Sequence, residues 1–139
     1  MITCSGGLFL SKDTKRFLFL LRTQGKTANT WGFVGGKKEP IDNTPYDTLT
    51  REISEELGKV PPVKKMIPLE QYSSKDQQFH YNTYVLLVDH EFIPALNEEH
   101  SAYAWCDYNC FPKPLHQGVK SSLNSKLIKE KIELILDLI

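Results

Sequence analysis

The sequence predicts an α/β (α+β) fold in which helices cover both faces of one mixed β-sheet. Three features point to it. Strand-like apolar runs crowd the start of the chain, an amphipathic helix follows at 45–57, and a second amphipathic helix closes the chain after two further strand-like runs. With 139 residues and 16.0 kDa there is room for one core, so 1–139 is expected to form one domain.

The elements are read in chain order. Residues 2–11 and 16–22 are rich in Phe, Leu and Ile and flank the polar Lys12-Asp13-Thr14-Lys15, the pattern of a β-hairpin. Residues 23–30 (TQGKTANT) are polar and form a loop, which leads into a short strand over 31–36 that ends in glycines. Thr44-Pro45-Tyr46-Asp47 supplies an N-cap, a proline at the first helical position and an acid two residues later, a capping-box variant. Tyr46, Leu49, Ile53 and Leu57 then form one apolar stripe, and Gly58 with Pro61-Pro62 supplies the stop, so the helix is set at 45–57. Residues 79–88 (FHYNTYVLLV) and 102–107 (AYAWCD) read as strands of the same sheet. From Ser122 onward, Leu123, Leu127, Ile128, Ile132, Ile135 and Ile139 keep helical spacing between charged residues, a terminal amphipathic helix. That helix is expected to pack on its own sheet, a homodimer contact being its other use.

Composition excludes several classes. Apolar residues make up 40% and charged residues 24%, which is globular and neither disordered nor collagen-like. Seventeen basic residues balance seventeen acidic ones, so no overall charge draws the molecule to nucleic acid or an anionic surface, and any polyanion site is local. The longest strictly apolar run, Phe17-Leu18-Phe19-Leu20-Leu21, is far short of the roughly 18 residues of a spanning helix. No basic leader precedes the first apolar stretch, and the expectation is a cytoplasmic protein. Cys4, Cys106 and Cys110 form neither a C-x-x-C nor, with His80, His100 and His116, a common zinc spacing, so they are read as reduced thiols.

The chemistry lies on the first helix. At about 100° per residue, Glu52, Glu55 and Glu56 line one arc that borders the apolar stripe instead of opposing it. Glu52 and Glu56 are an i, i+4 like-charge pair, unfavourable by a few tenths of a kcal/mol in water and by more when desolvated, so a positive charge should offset it. Gly35-Gly36 lies upstream, where bare backbone carbonyls can join carboxylates around a hard cation such as Mg²⁺.

These residues resemble a known motif. Gly36-Lys37-Lys38-Glu39-Pro40 followed by Arg51-Glu52-Ile53-Ser54-Glu55-Glu56-Leu57-Gly58 is similar to the Nudix box, G-x5-E-x7-R-E-U-x-E-E-x-G-U with U aliphatic, here spanning about 36–58. Its second half matches at every fixed position that it covers, and Trp31-Gly32-Phe33 ahead of the double glycine is also typical of the family. The resemblance implies a Nudix-like α/β/α sandwich, with the sheet held between the box helix and a C-terminal helix. The departures lie in the loop. Asp42 stands where the box has Glu, with one extra residue before Arg51; Asn43 is the other candidate for the slot, and Asp47, four residues before Arg51, is a further possible partner for the arginine. Val34 replaces a common Pro, and Lys59 the last aliphatic residue.

The resemblance implies a hydrolase that cleaves the diphosphate linkage of a nucleotide derivative (a nucleoside triphosphate, nucleotide sugar, ADP-ribose or dinucleoside polyphosphate) by water attack at phosphorus, with Mg²⁺ or Mn²⁺. It implies Glu52, Glu55 and Glu56 as ligands, the Gly35 carbonyl as a further one, and Arg51 as an orienting ion-pair partner. Glu99, in an E-H-x-x-Y-x-W stretch ahead of a Trp-bearing strand, is the candidate general base or additional ligand, with Glu98 its alternative. Arg22, Lys37 and Lys38 are candidates to meet phosphate. Tyr72, Phe79, Tyr81 and Tyr84 either stack a base or, as strand-spaced aromatics more often do, fill core. Pro68, Tyr72 and Tyr81 match no subfamily spacing that would fix the substrate. Hydrolysis of an RNA 5′ end, which the neutral charge disfavours, and a nucleotide-binding module without turnover, which the intact acids disfavour, are the rival readings.

Overall fold

The computed structural model describes residues 1–139 and contains ten principal elements: β1 (Ile2–Ser11), β2 (Phe17–Arg22), β3 (Trp31–Gly32), β4 (Val34–Lys37), α1 (Pro45–Leu57), β5 (Lys65–Ser73), β6 (Phe79–Val88), β7 (His100–Cys106), α2 (Gln117–Asn124) and α3 (Lys126–Leu138). The seven strands form one mixed sheet, as the sequence predicts. β1 runs parallel to β6 along its whole length, from Ile2 opposite Phe79 to Ser11 opposite Val88. Its other edge is divided: Cys4–Gly7 pair antiparallel with β4, and the far end meets β2 at one rung, Leu10 opposite Phe17. The expected hairpin is therefore closed only at its turn. Beyond it β1 and β2 diverge, and β2 takes β7 on one edge and β3 on the other.

Strand alternation sorts the core into two layers. Leu8, Leu10, Phe17 and Phe19 face α2 and α3 and pack with Leu69, Val85, Leu123, Ile128 and Ile132. The intervening Phe9, Leu18 and Leu20 face α1 and pack with Val34, Leu49, Leu57, Leu86 and Val88. Helices thus cover both faces of the sheet. No helix is long and apolar enough to cross a membrane.

Three local expectations are corrected, and one strand, β5, is added to those read from the sequence. The strand expected over 31–36 is two strands, because the chain leaves β2 after Gly32 and joins β1 from Val34, with Phe33 between them packed on the Phe19 ring at 5.8 Å. β5 carries no clear strand signal in the sequence, since Pro68 interrupts its alternation; the structure shifts register between Pro68 and Glu70 and places β5 at a sheet edge, beside β6 alone. The terminal helix is two helices, broken at Ser125 in extended conformation (φ −67°, ψ 129°), which lets Leu123 and the Ile128/Ile132 pair reach the same core layer from different directions. Tyr46, assigned to the buried stripe of α1, is 57% exposed: the buried face of that helix is Thr48, Leu49, Glu52, Glu56 and Leu57, so carboxylates occupy core-facing positions.

Candidate active site

α1 begins as its sequence dictates. Thr44 Oγ1 accepts from the Asp47 N–H (3.2 Å), the Asp47 carboxylate accepts from the Thr44 N–H (3.1 Å), and Pro45 takes the first helical position. The helix lies across β4 and β1, which brings Glu52 and Glu56 against Gly35 and Gly36. Bare backbone makes the close approach possible. A Cβ on Gly36 would collide with the Glu52 carboxylate, and one on Gly35 would run into the backbone of Ser5 and Gly6. The glycines of the box therefore let a carboxylate lie directly on a strand.

Arg51 holds the loop to the helix. Its Nη2 and Nε donate to the two oxygens of Asp42 at 2.8 and 3.3 Å, its Nη2 also donates to the Lys37 carbonyl (2.9 Å), and its Nη1 reaches Glu52 (3.0 Å) and Glu55 (3.5 Å). Asp42 thus fills the slot left open among Asp42, Asn43 and Asp47; Asp47 is engaged in the helix cap, and Asn43 contributes a backbone N–H to the same cap. The extra loop residue is absorbed in a turn in which Asp42 also accepts from the Glu39 N–H (2.9 Å) and Thr48 Oγ1 (3.0 Å). The Arg51 guanidinium, with these donors, holds the Asp42 carboxyl far below the usual carboxylate range.

The remaining acids differ sharply. Glu52 is 9% and Glu56 2% exposed, whereas Glu55 lies on the outer edge of the ridge beside Arg51. Burial pushes the Glu56 carboxyl well above its ordinary range; Glu52 beside it and Glu99 push the same way, and the Gly35 backbone pulls weakly back. His100 Nδ1 lies 3.6 Å from Glu56 Oε1, both groups buried, and burial with nearby Arg22 lowers the imidazole pKa. Glu56 Oε2 and both His100 nitrogens have no hydrogen-bond partner. A buried, unpartnered carboxylate oxygen beside a second carboxylate suits a cation. No three His, Cys, Asp or Glu side chains converge on one point, so the protein alone does not complete a coordination shell.

Glu52 and Glu56, with Gly35 and Gly36, line a cleft of 710 Å³; Glu55, Arg51 and His100 do not reach it. Arg22, Lys37 and Glu99 also reach it; Lys38 does not, as expected for alternate residues of an extended segment. Arg22 makes no ion pair and donates through Nε to Thr27 Oγ1 (2.8 Å). Glu99 is exposed at the rim, its Oε2 accepting from Asn97 Nδ2 (3.2 Å). Tyr72, Phe79 and Tyr81 also line the cleft, with ring centroids 6.1 and 6.3 Å apart in succession, so three of the four aromatics are cleft wall; only Tyr84 packs into the core, under α1. The cleft also takes Glu70, Thr83, His116 and the Gly118–Ser122 face of α2, which the sequence reading missed. Their signal was weak: α2 starts at a histidine N-cap, His116, whose ring accepts from the Gly118 N–H (3.0 Å).

A mixed sheet between helices, with a carboxylate helix laid on a double glycine, defines a class of hydrolase. The family model of the NUDIX domain matches residues 5–125, and the chain belongs to that family and is a Nudix hydrolase. Among curated proteins it is similar to a CTP pyrophosphohydrolase of Escherichia coli (strain K12), 31% identical over 97 residues that cover 70% of each chain. Its fold matches a MutT NUDIX hydrolase from Burkholderia pseudomallei (TM-score 0.67, 22% identity, 89% of this chain and 96% of that one). It also matches the NUDIX domain of Shewanella oneidensis NrtR complexed with ADP ribose (TM-score 0.71, 16% identity, 96% and 87%).

Proposed function

We propose that this protein hydrolyses the diphosphate linkage of a nucleoside triphosphate or a related nucleotide derivative, with Mg²⁺ or Mn²⁺ as cofactor. The observation that carries the reading is the buried Glu52/Glu56 pair with Glu56 Oε2 unpartnered, on a helix that floors the cleft. Glu52 and Glu56, with the Gly35 carbonyl, are assigned to hold the cation, and Glu55 to complete the acidic edge. Mg²⁺ keeps several waters and takes phosphate oxygens, so two buried carboxylates are a sufficient protein contribution. When bound, the cation supplies positive charge against the diphosphate and acidifies water.

The chain's own residues do the rest. Arg51 fixes the direction of Glu52 and ties the end of β4, at Lys37, to the helix. Arg22 and Lys37 bring positive charge to the phosphate end of the cleft, where their hydrogen bonds strengthen as charge moves onto the leaving oxygen. Glu99, held through one oxygen by Asn97, is assigned to take the proton from the attacking water at its Oε1. Tyr72, Phe79 and Tyr81 offer ring faces for a base. The similarity to a CTP pyrophosphohydrolase supports a nucleoside triphosphate as the first substrate to test.

The test is release of pyrophosphate or phosphate from nucleoside triphosphates, ADP-ribose, nucleotide sugars and dinucleoside polyphosphates with Mg²⁺ or Mn²⁺, wild type beside Glu52→Gln. Metal-dependent turnover of one class that falls by about 10³-fold in the variant is the expected result. Equal turnover by both proteins would overturn the assignment.

A further inference from the structure

The β5–β6 side of the cleft is more specific than an aromatic wall. Two-residue alternation places Glu70 and Tyr72 on one face of β5, and Phe79, Tyr81 and Thr83 on the matching face of β6. The register sets Tyr72 opposite Tyr81 and Glu70 opposite Thr83, so an aromatic rung adjoins a polar one. α2 closes over this pair: Ser122 Oγ donates to Glu70 Oε1 at 2.5 Å, which orients the carboxylate and leaves Oε2 with no protein partner. An aromatic rung suits the face of a flat heterocycle, and an oriented, acceptor-only oxygen beside it suits a donor on that ring's edge. Thr83 brings a hydroxyl able to donate to the neighbouring ring nitrogen.

We infer that Glu70, oriented by Ser122, selects nucleotides whose base carries an exocyclic amino group, as cytosine and adenine do, over bases with an oxo group at that place. The inference rests on the nucleotide reading above and adds the base to it. An amino group donates to the free Glu70 oxygen. An oxo group sets two acceptors against each other in a cleft that is partly shielded from water, and the lost bond is one to a charged acceptor.

Two substrate pairs that exchange NH₂ for O test this: CTP against UTP, and ATP against ITP. For at least one pair the amino member should have the higher kcat/KM by about tenfold or more, the discrimination of one hydrogen bond to a charged group. In Glu70→Gln, whose amide both donates and accepts, that ratio should fall towards one, and in Ser122→Ala it should fall part of the way. A ratio unchanged in Glu70→Gln overturns the inference. If both variants lose thermal stability while the ratio stays, Glu70 only tethers α2, and the inference is equally overturned. Calorimetric binding of CMP against UMP reads the same preference without turnover. Preference in binding with no hydrolysis of any substrate tested would sink the proposed nucleotide-hydrolysis reading and leave this inference standing. Hydrolysis with no base preference would do the reverse.

Discussion

Folding places the Glu56 carboxylate in surroundings that disfavour its charge: it is 2% exposed, one of its oxygens has no partner, and Glu52 stands one helical turn away. Glu56→Gln removes the ionisable carboxyl, whose charge the folded state disfavours, and keeps the shape. It should raise the unfolding free energy of the metal-free protein by about 1 kcal/mol in urea titrations while lowering turnover by about 10³-fold. A variant less stable than wild type would mean that His100, 3.6 Å away, compensates the charge in the native state. Asp42 has the opposite character. Its folded pKa lies far below the ordinary 3.8, because Arg51 favours the ionised form, so its contribution to stability is complete above that value and is lost as pH falls below it. Asp42→Asn should therefore be less stable at neutral pH and should lose less than wild type between about pH 5 and pH 2, read as the shift in urea midpoint. At this scale the sequence is half legible. Glu52, Glu55, Glu56 and Arg51 share one helix, so periodicity alone assembles them. Glu70, Thr83 and Ser122 meet only through strand register and the approach of α2, and no local pattern encodes that meeting.

Among the elements, α1 depends most on its own sequence. Thr44→Ala removes one side of the capping box and should lower stability by about 1 kcal/mol, measured by thermal or urea unfolding, without removing any cleft residue. The helix was legible because cap, proline and stripe agree on one start and one phase. Its rotation was read less well: Tyr46 carries the apolar signal yet lies in the first turn, exposed, while Glu52 and Glu56 take inward positions that a hydrophobic pattern assigns elsewhere. β5 was illegible for a related reason. It is an edge strand whose proline has no N–H to donate, and its partner β6 supplies the order that its own residues lack. The break at Ser125 leaves helical spacing intact on both sides, so a periodic reading passes through it.

Taken whole, the molecule buries two neighbouring carboxylates, Glu52 and Glu56, at the cleft, and a cation that binds there should stabilise the entire fold. Raising Mg²⁺ to about 100 times its dissociation constant should add about 2.7 kcal/mol to wild type, seen as a steady rise in melting temperature, and much less to Glu52→Gln. An equal rise in both would place the cation elsewhere. The parallel pairing of β1 with β6 acts on a different timescale. During synthesis β1 leaves the ribosome before β6, and Leu8, Phe9 and Leu10 have no partner on their β6 edge until Val85–Leu87 have been translated. The nascent chain therefore carries an open, apolar strand edge until β6 emerges, and its exposure to misassembly is governed by the pace of translation and not by the stability of the finished sheet.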